Sequence, residues 1–74
     1  MKTYFLASKN DEGNLSNSGV YHNNLSAAKK INKRYKKDAQ DHGEDPGDYC
    51  IAAVEAPSVW AAEGLFELGR YTVV

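Results

Sequence analysis

A helical period in the middle of the chain constrains its fold more than any other feature. Apolar side chains follow one another at steps of three or four residues, at Leu25, Ala28, Ile31, Tyr35 and Ala39. On an α-helix these positions form one stripe, which is buried when the helix packs on another layer. Asn24 is a good N-cap, with Ser26 as the competing cap, and Gly43 is suited to end the helix. We therefore predict one amphipathic helix over about 25–42.

Strand patterns flank this helix on both sides. Residues 3–8 are rich in β-branched and aromatic side chains. Residues 48–56 carry small apolar side chains on both faces, which is typical of a central strand. Turn-forming Asn, Ser and Gly residues predict a loop over 9–19, followed by a short strand over 20–22.

The last quarter of the chain is less regular. Pro57 ends the central strand, and residues 58–63 fit either one helical turn or an irregular edge. Residues 70–74 are strand-like up to Val74. The predicted order is therefore β-β-α-β-β, an α+β fold in which one helix packs on one face of a small, mostly antiparallel sheet.

The length and the single cysteine limit the class of protein. Seventy-four residues make one domain, 1–74, with a thin core that a homodimer would help to stabilise. Cys50 has no second cysteine to pair with, whereas small secreted domains usually carry several disulfides. No apolar run is long enough for a signal peptide or a membrane span. We expect a cytoplasmic protein with no membrane partner.

The basic residues are concentrated on the predicted helix, on the arc opposite its apolar stripe. Six of the nine lysines and arginines form this basic face, five of them on the arc and Arg34 at one flank: Lys29, Lys30, Lys33, Arg34, Lys36 and Lys37. Neighbours three and four residues apart repel one another there, because no acidic residue is interleaved among them. Two interpretations stay open, a solvated surface and a surface kept for an anionic partner.

Acidic residues follow immediately. Eight of the ten carboxylates lie between Asp38 and Glu67, a segment without Lys or Arg. The acidic loop is defined here by its four central members: Asp41, Glu44, Asp45 and Asp48. Their spacing does not match a calcium-binding loop, so we predict no metal site. A solvated loop and a mimic of nucleic-acid phosphates remain as interpretations.

Catalysis and cofactor binding find little support in the sequence. Cys50, His22 and His42 are the only residues that suggest a nucleophile and its base, and Cys50 lies in an apolar run where an inert thiol is expected. The two histidines flank opposite ends of the predicted helix, so they cannot share a metal ion. No phosphate-binding glycine loop is present. We predict that the protein is not an enzyme and has no cofactor.

Trp60 follows a proline and a serine on a predicted connection. It is interpreted either as a side chain that closes one end of the core or as an exposed anchor at an interface. With the basic face and the acidic loop, it completes the set of predicted partner-binding residues.

The plan of the chain, a single small α+β domain with uneven charge, resembles the small inhibitors that phages and mobile elements encode, anti-CRISPR proteins among them. The resemblance implies a non-enzymatic inhibitor or adaptor that binds a larger host protein, such as a complex that handles nucleic acid. One alternative is a small nucleic-acid-binding accessory protein whose basic face contacts phosphate, although a net charge of -1 counts against it. The other alternative is a structural or self-assembling module whose charged side chains serve only to keep its surface hydrated.

Overall fold

Four antiparallel strands and two helices make up the fold, described by a computed structural model over residues 1–74. A short 3₁₀ turn at Pro46–Asp48 precedes the third strand. The elements are β1 Lys2–Lys9, β2 Leu15–His22, α1 Leu25–Asp41, β3 Tyr49–Glu55, α2 Val59–Glu67 and β4 Thr72–Val73. The predicted α+β class is confirmed.

The strands are arranged in the order β2-β1-β3-β4, and every pair is antiparallel. The two inner strands, β1 and β3, pair along almost their whole length, from Lys2 opposite Glu55 to Ser8 opposite Tyr49. Residues 51–54 of β3 are all buried, because both faces of the strand are covered. This confirms the prediction of a central strand.

Successive side chains of the inner strands enter two separate apolar clusters. Phe5 points to one face of the sheet, where it meets Ala62 and Phe66 of α2. Leu6 points to the other face, where it meets Ala28 of α1. The strand period of two therefore places the helices on opposite faces of the sheet.

Helix α1 matches its prediction closely. The Asn24 side-chain oxygen accepts a hydrogen bond of 3.1 Å from the backbone nitrogen of Ala27, which caps the first turn. The helix ends at Asp41, one residue before the predicted end, and Gly43 follows with a φ of 76°. Asn32 is buried beside the apolar stripe, and its side-chain oxygen has no hydrogen-bond partner in the chain.

The second strand is longer than predicted. It starts at Leu15, which is half-buried and packs beside the cluster under α2, and pairs opposite Lys9. The polar residues that follow are typical of a loop. In the structure they form an edge strand, where their side chains are exposed to solvent. Gly19, with a φ of 87°, lies where the pairing register shifts.

The last part of the chain also differs from the sequence pattern. Residues 59–67 form a helix of nine residues, capped by Ser58, whereas the sequence favoured one turn or an irregular edge. The last strand is only Thr72–Val73, because Gly69 and Arg70 form the turn that terminates α2. Neither helix has the combination of length and apolar character that crossing a bilayer requires.

Candidate functional site

The basic face lies on the side of α1 that points away from the sheet. All six of its residues are exposed. Five of them line one shallow groove of about 610 Å³, together with Gln40 and Pro46: Lys30, Lys33, Arg34, Lys36 and Lys37. The groove thus runs along the helix and ends against the 3₁₀ turn.

None of these cations is neutralised within the chain. The protein has a single ion pair, 3.1 Å between the Met1 ammonium and Oε1 of Glu55, the last residue of β3. Asp38 and Asp41 follow the basic face on the same helix, yet neither forms a salt bridge with it. The groove therefore has a positive potential that can attract an external anion.

The acidic loop connects α1 with β3, and two of its four carboxylates stabilise local structure. The Asp45 side chain accepts a hydrogen bond of 2.9 Å from the Gly47 nitrogen and caps the 3₁₀ turn. Glu44 accepts a hydrogen bond of 3.1 Å from the phenol of Tyr49. Asp41 and Asp48 are exposed and accept no side-chain hydrogen bond. No three acidic, histidine or cysteine side chains are close enough together to hold a metal ion.

The acidic loop also borders the basic groove. Pro46 lines the groove, and Asp45 and Gly47 are its chain neighbours. A ligand lying along α1 would therefore pass from a cationic groove to a carboxylate-rich turn within a few residues. The site offers both signs of charge along one direction.

Trp60 lies on the outer side of α2 with 88% of its surface exposed, the largest exposed fraction among the big apolar side chains. The structure excludes the interpretation in which it closes the core. Because α1 and α2 cover opposite faces of the sheet, Trp60 and the basic face point to opposite sides of the molecule. They belong to two surfaces.

The residues considered for catalysis are not brought together. Burial raises the pKa of the Cys50 thiol, an effect that Lys9 and Lys36 partly oppose. Nδ1 of His22 accepts a hydrogen bond of 3.0 Å from the Asn24 backbone nitrogen, and Nδ1 of His42 lies 2.7 Å from the Asp38 carbonyl oxygen. No hydrogen bond joins Cys50 to either histidine.

Two groups of residues were missed by sequence reasoning. Thr3 is 1% exposed, and its hydroxyl oxygen has no hydrogen-bond partner; it also lines an open cleft of about 280 Å³ beside Tyr21 and Val59. The second group surrounds Trp60 on α2, where Glu63 and Glu67 are exposed. Glu63 and Glu67 lie three and seven residues after Trp60, a spacing that places them on the same side of a helix. Predicting a helix over 59–67 would have grouped them with Trp60.

Two exposed surfaces therefore stand out in the structure, one on α1 and one on α2. The basic groove can attract an anionic surface, and the outer side of α2 offers an exposed aromatic ring with carboxylates beside it. Comparison with known proteins finds no matching family model, no similar curated protein and no similar solved structure.

Proposed function

We propose that this chain is a non-enzymatic cytoplasmic inhibitor or adaptor whose basic face holds an acidic surface of a larger protein. The observation that supports it is the groove along α1, in which five cationic side chains lie without a carboxylate within 4.0 Å. Charge of one sign gathered on a helix and left unpaired raises the rate at which an oppositely charged partner is captured.

The energetics of the helix support the same proposal. Lys33 has like-charged neighbours three and four residues away on both sides, at Lys29, Lys30, Lys36 and Lys37. Each such pair opposes helix formation by roughly 0.2–0.5 kcal/mol. A helix selected for stability alone would carry Glu among these lysines. An acidic partner relieves this repulsion when it binds, so the repulsion in the free protein makes the free energy of binding more favourable.

The acidic loop favours a protein over a long nucleic acid as the partner. A duplex following the groove would meet Asp45 and Asp48 beyond Pro46, where its phosphates would be repelled. A protein surface can instead place its own cations against this turn. The resemblance to small phage-encoded inhibitors favours, among protein partners, a complex that handles nucleic acid.

A nucleic-acid-binding function is the second candidate, favoured by the lining of the groove. Apart from the Pro46 ring, its lining side chains are cationic or polar, and no large apolar side chain is present to anchor a protein interface. Phosphate groups need no such anchor.

The test of the first proposal is capture of a partner from nuclease-treated host lysate with tagged protein. We expect one stoichiometric protein to be retained by the wild type and lost by the Lys33→Glu/Lys37→Glu double variant. The matched control is Lys2→Glu/Lys9→Glu, which makes the same charge change at two exposed positions of β1. Equal capture by both double variants would remove the basic face from the interface.

The second candidate is tested with the purified protein and a fluorescent duplex. If the basic face binds phosphate, affinity falls steeply as salt rises, with a logarithmic slope of about -0.9 per neutralised phosphate. The slope should then be smaller for Lys33→Glu/Lys37→Glu than for the control variant. No duplex binding at low salt would eliminate this candidate and leave the protein partner.

A further inference from the structure

The outer side of α2 carries an apolar stripe that nothing in the chain covers. Trp60, Gly64 and Leu68 follow one another at steps of four residues, so they lie on one side of the helix. Trp60 is 88% exposed and Leu68 is 73% exposed. We call these three residues the α2 stripe. Trp60 lies in the first turn of α2, and Leu68 is its C-cap residue two turns away. Two large apolar side chains this exposed at the two ends of one short helix are typical of an interaction surface.

Gly64 gives the stripe a shape that the fold itself does not need. Glycine inside a helix lowers stability relative to alanine. Gly64 has an ordinary helical backbone, and a Cβ atom placed there would meet no atom within 4 Å. Internal packing therefore does not require glycine. On the outer side, it leaves a shallow notch between Trp60 and Leu68 into which another element can approach closely.

The charges beside the stripe indicate the sign of its partner. Glu63 and Glu67 are exposed next to Trp60 and Gly64, and neither forms a salt bridge within the chain. Two copies of the stripe facing each other would bring four carboxylates together, which opposes a symmetric α2–α2 pair. A cationic surface is the better complement. A lysine stem can lie across the Trp60 ring while its ammonium reaches a carboxylate.

The chain carries such a cationic surface on its opposite side. The basic face has five cations around one groove, all without an internal partner. We propose that the α2 stripe of one copy docks on the basic face of a second copy, head to tail. The complementary charges support this choice of occupant, and Trp60 is the central contact.

The geometry sets the form of the assembly. The two surfaces lie on opposite faces of the sheet, so a docked pair still has one free basic face and one free α2 stripe. The contact therefore does not close into a two-fold dimer. Larger species should form as concentration rises and dissociate as salt screens the charges. The inference does not depend on the proposed function, but an acidic partner on the basic face would compete with assembly.

The experiment measures sedimentation velocity of the purified chain over a concentration series, at low and at high salt. We expect a continuous shift to larger species at low salt. Trp60→Ala and Lys33→Glu/Lys37→Glu should each weaken self-association by about tenfold or more, since each removes one side of the contact. The control Lys2→Glu/Lys9→Glu should assemble like the wild type. Circular dichroism checks that each variant is folded.

Mixing separates a head-to-tail contact from a symmetric one. Trp60→Ala keeps the basic face, and Lys33→Glu/Lys37→Glu keeps the α2 stripe, so an equimolar mixture should form a one-to-one dimer that does not grow. A mixture that stays monomeric overturns the proposal. So does a wild type that is monomeric throughout at low salt, or self-association that Trp60→Ala abolishes and the lysine variant leaves unchanged.

Discussion

The phenol of Tyr49 donates a hydrogen bond of 3.1 Å to Oε2 of Glu44, which ties the start of β3 to the acidic loop. This bond, followed by the negative charge of Glu44 itself, raises the pKa of Tyr49 above its usual value of 10.0. The stabilisation it provides is present at neutral pH, where the phenol is protonated in the folded and the unfolded chain. It is lost as pH rises above 10 and through the folded-state pKa, because a phenolate cannot donate and is repelled by Glu44.

The first prediction follows from this pair. Glu44→Gln should lower the pKa of Tyr49 towards 10.0, since the amide carries no charge. The measurement is a pH titration of ¹³C-labelled tyrosine rings by NMR. An unchanged Tyr49 titration would show that the hydrogen bond does not persist in solution.

A second prediction concerns the stability of the basic face. Lys33→Glu should stabilise the fold, because it replaces four repulsive helix pairs with attractive ones worth roughly 0.2–0.5 kcal/mol each. Urea unfolding at low salt measures the gain, and Lys33→Gln should give about half of it. At high salt the difference should shrink as the charges are screened. A destabilised Lys33→Glu would mean that the lysines are not in mutual repulsion.

The third prediction concerns the buried hydroxyl of Thr3. Its oxygen has no partner in the chain, so Thr3→Val, which keeps the shape of the side chain, should be stabilising by about 1 kcal/mol. Thr72→Val is the matched control at an exposed position of β4 and should change stability little. A loss of stability in Thr3→Val would show that the hydroxyl has a partner in solution.

A fourth prediction tests the cap of α1. Asn24→Ala should reduce the free energy of unfolding by about 1 kcal/mol, because it removes the acceptor for the Ala27 nitrogen. Asn24→Asp should retain most of that stability. Asn23→Ala removes a neighbouring exposed asparagine whose side chain forms no hydrogen bond, and it should be near neutral. Equal effects at positions 23 and 24 would argue against the cap.

The helix α1 could be predicted from sequence because its determinants are local. The apolar period and the Asn24 cap lie within the segment itself, so the bounds were correct to one residue. The start of β2 depended instead on pairing with β1, which lets polar residues from Ser16 to Ser18 occupy an exposed edge. The length of α2 was missed because Gly64 interrupts an otherwise acceptable helix.

One part of the candidate site could likewise be predicted from the sequence, and another part could not. The basic face follows from helix geometry, so the spacing of its members along the chain is enough to place them on one surface. The position of Trp60 relative to that surface depends on which side of the sheet the chain crosses after Pro57, and no local pattern encodes this. Grouping Trp60 with the lysines in one set of partner-binding residues concealed that they form two separate surfaces.

The pairing of β1 with β3 has a consequence for synthesis on the ribosome. Residues 2–9 emerge before residues 49–55 and gain their central neighbour only when those residues have left the exit tunnel. Until then β1 can form only a two-stranded hairpin with β2, which is marginal in water and leaves Phe5 uncovered. The nascent chain therefore has no finished sheet until the segment that forms β3 has emerged.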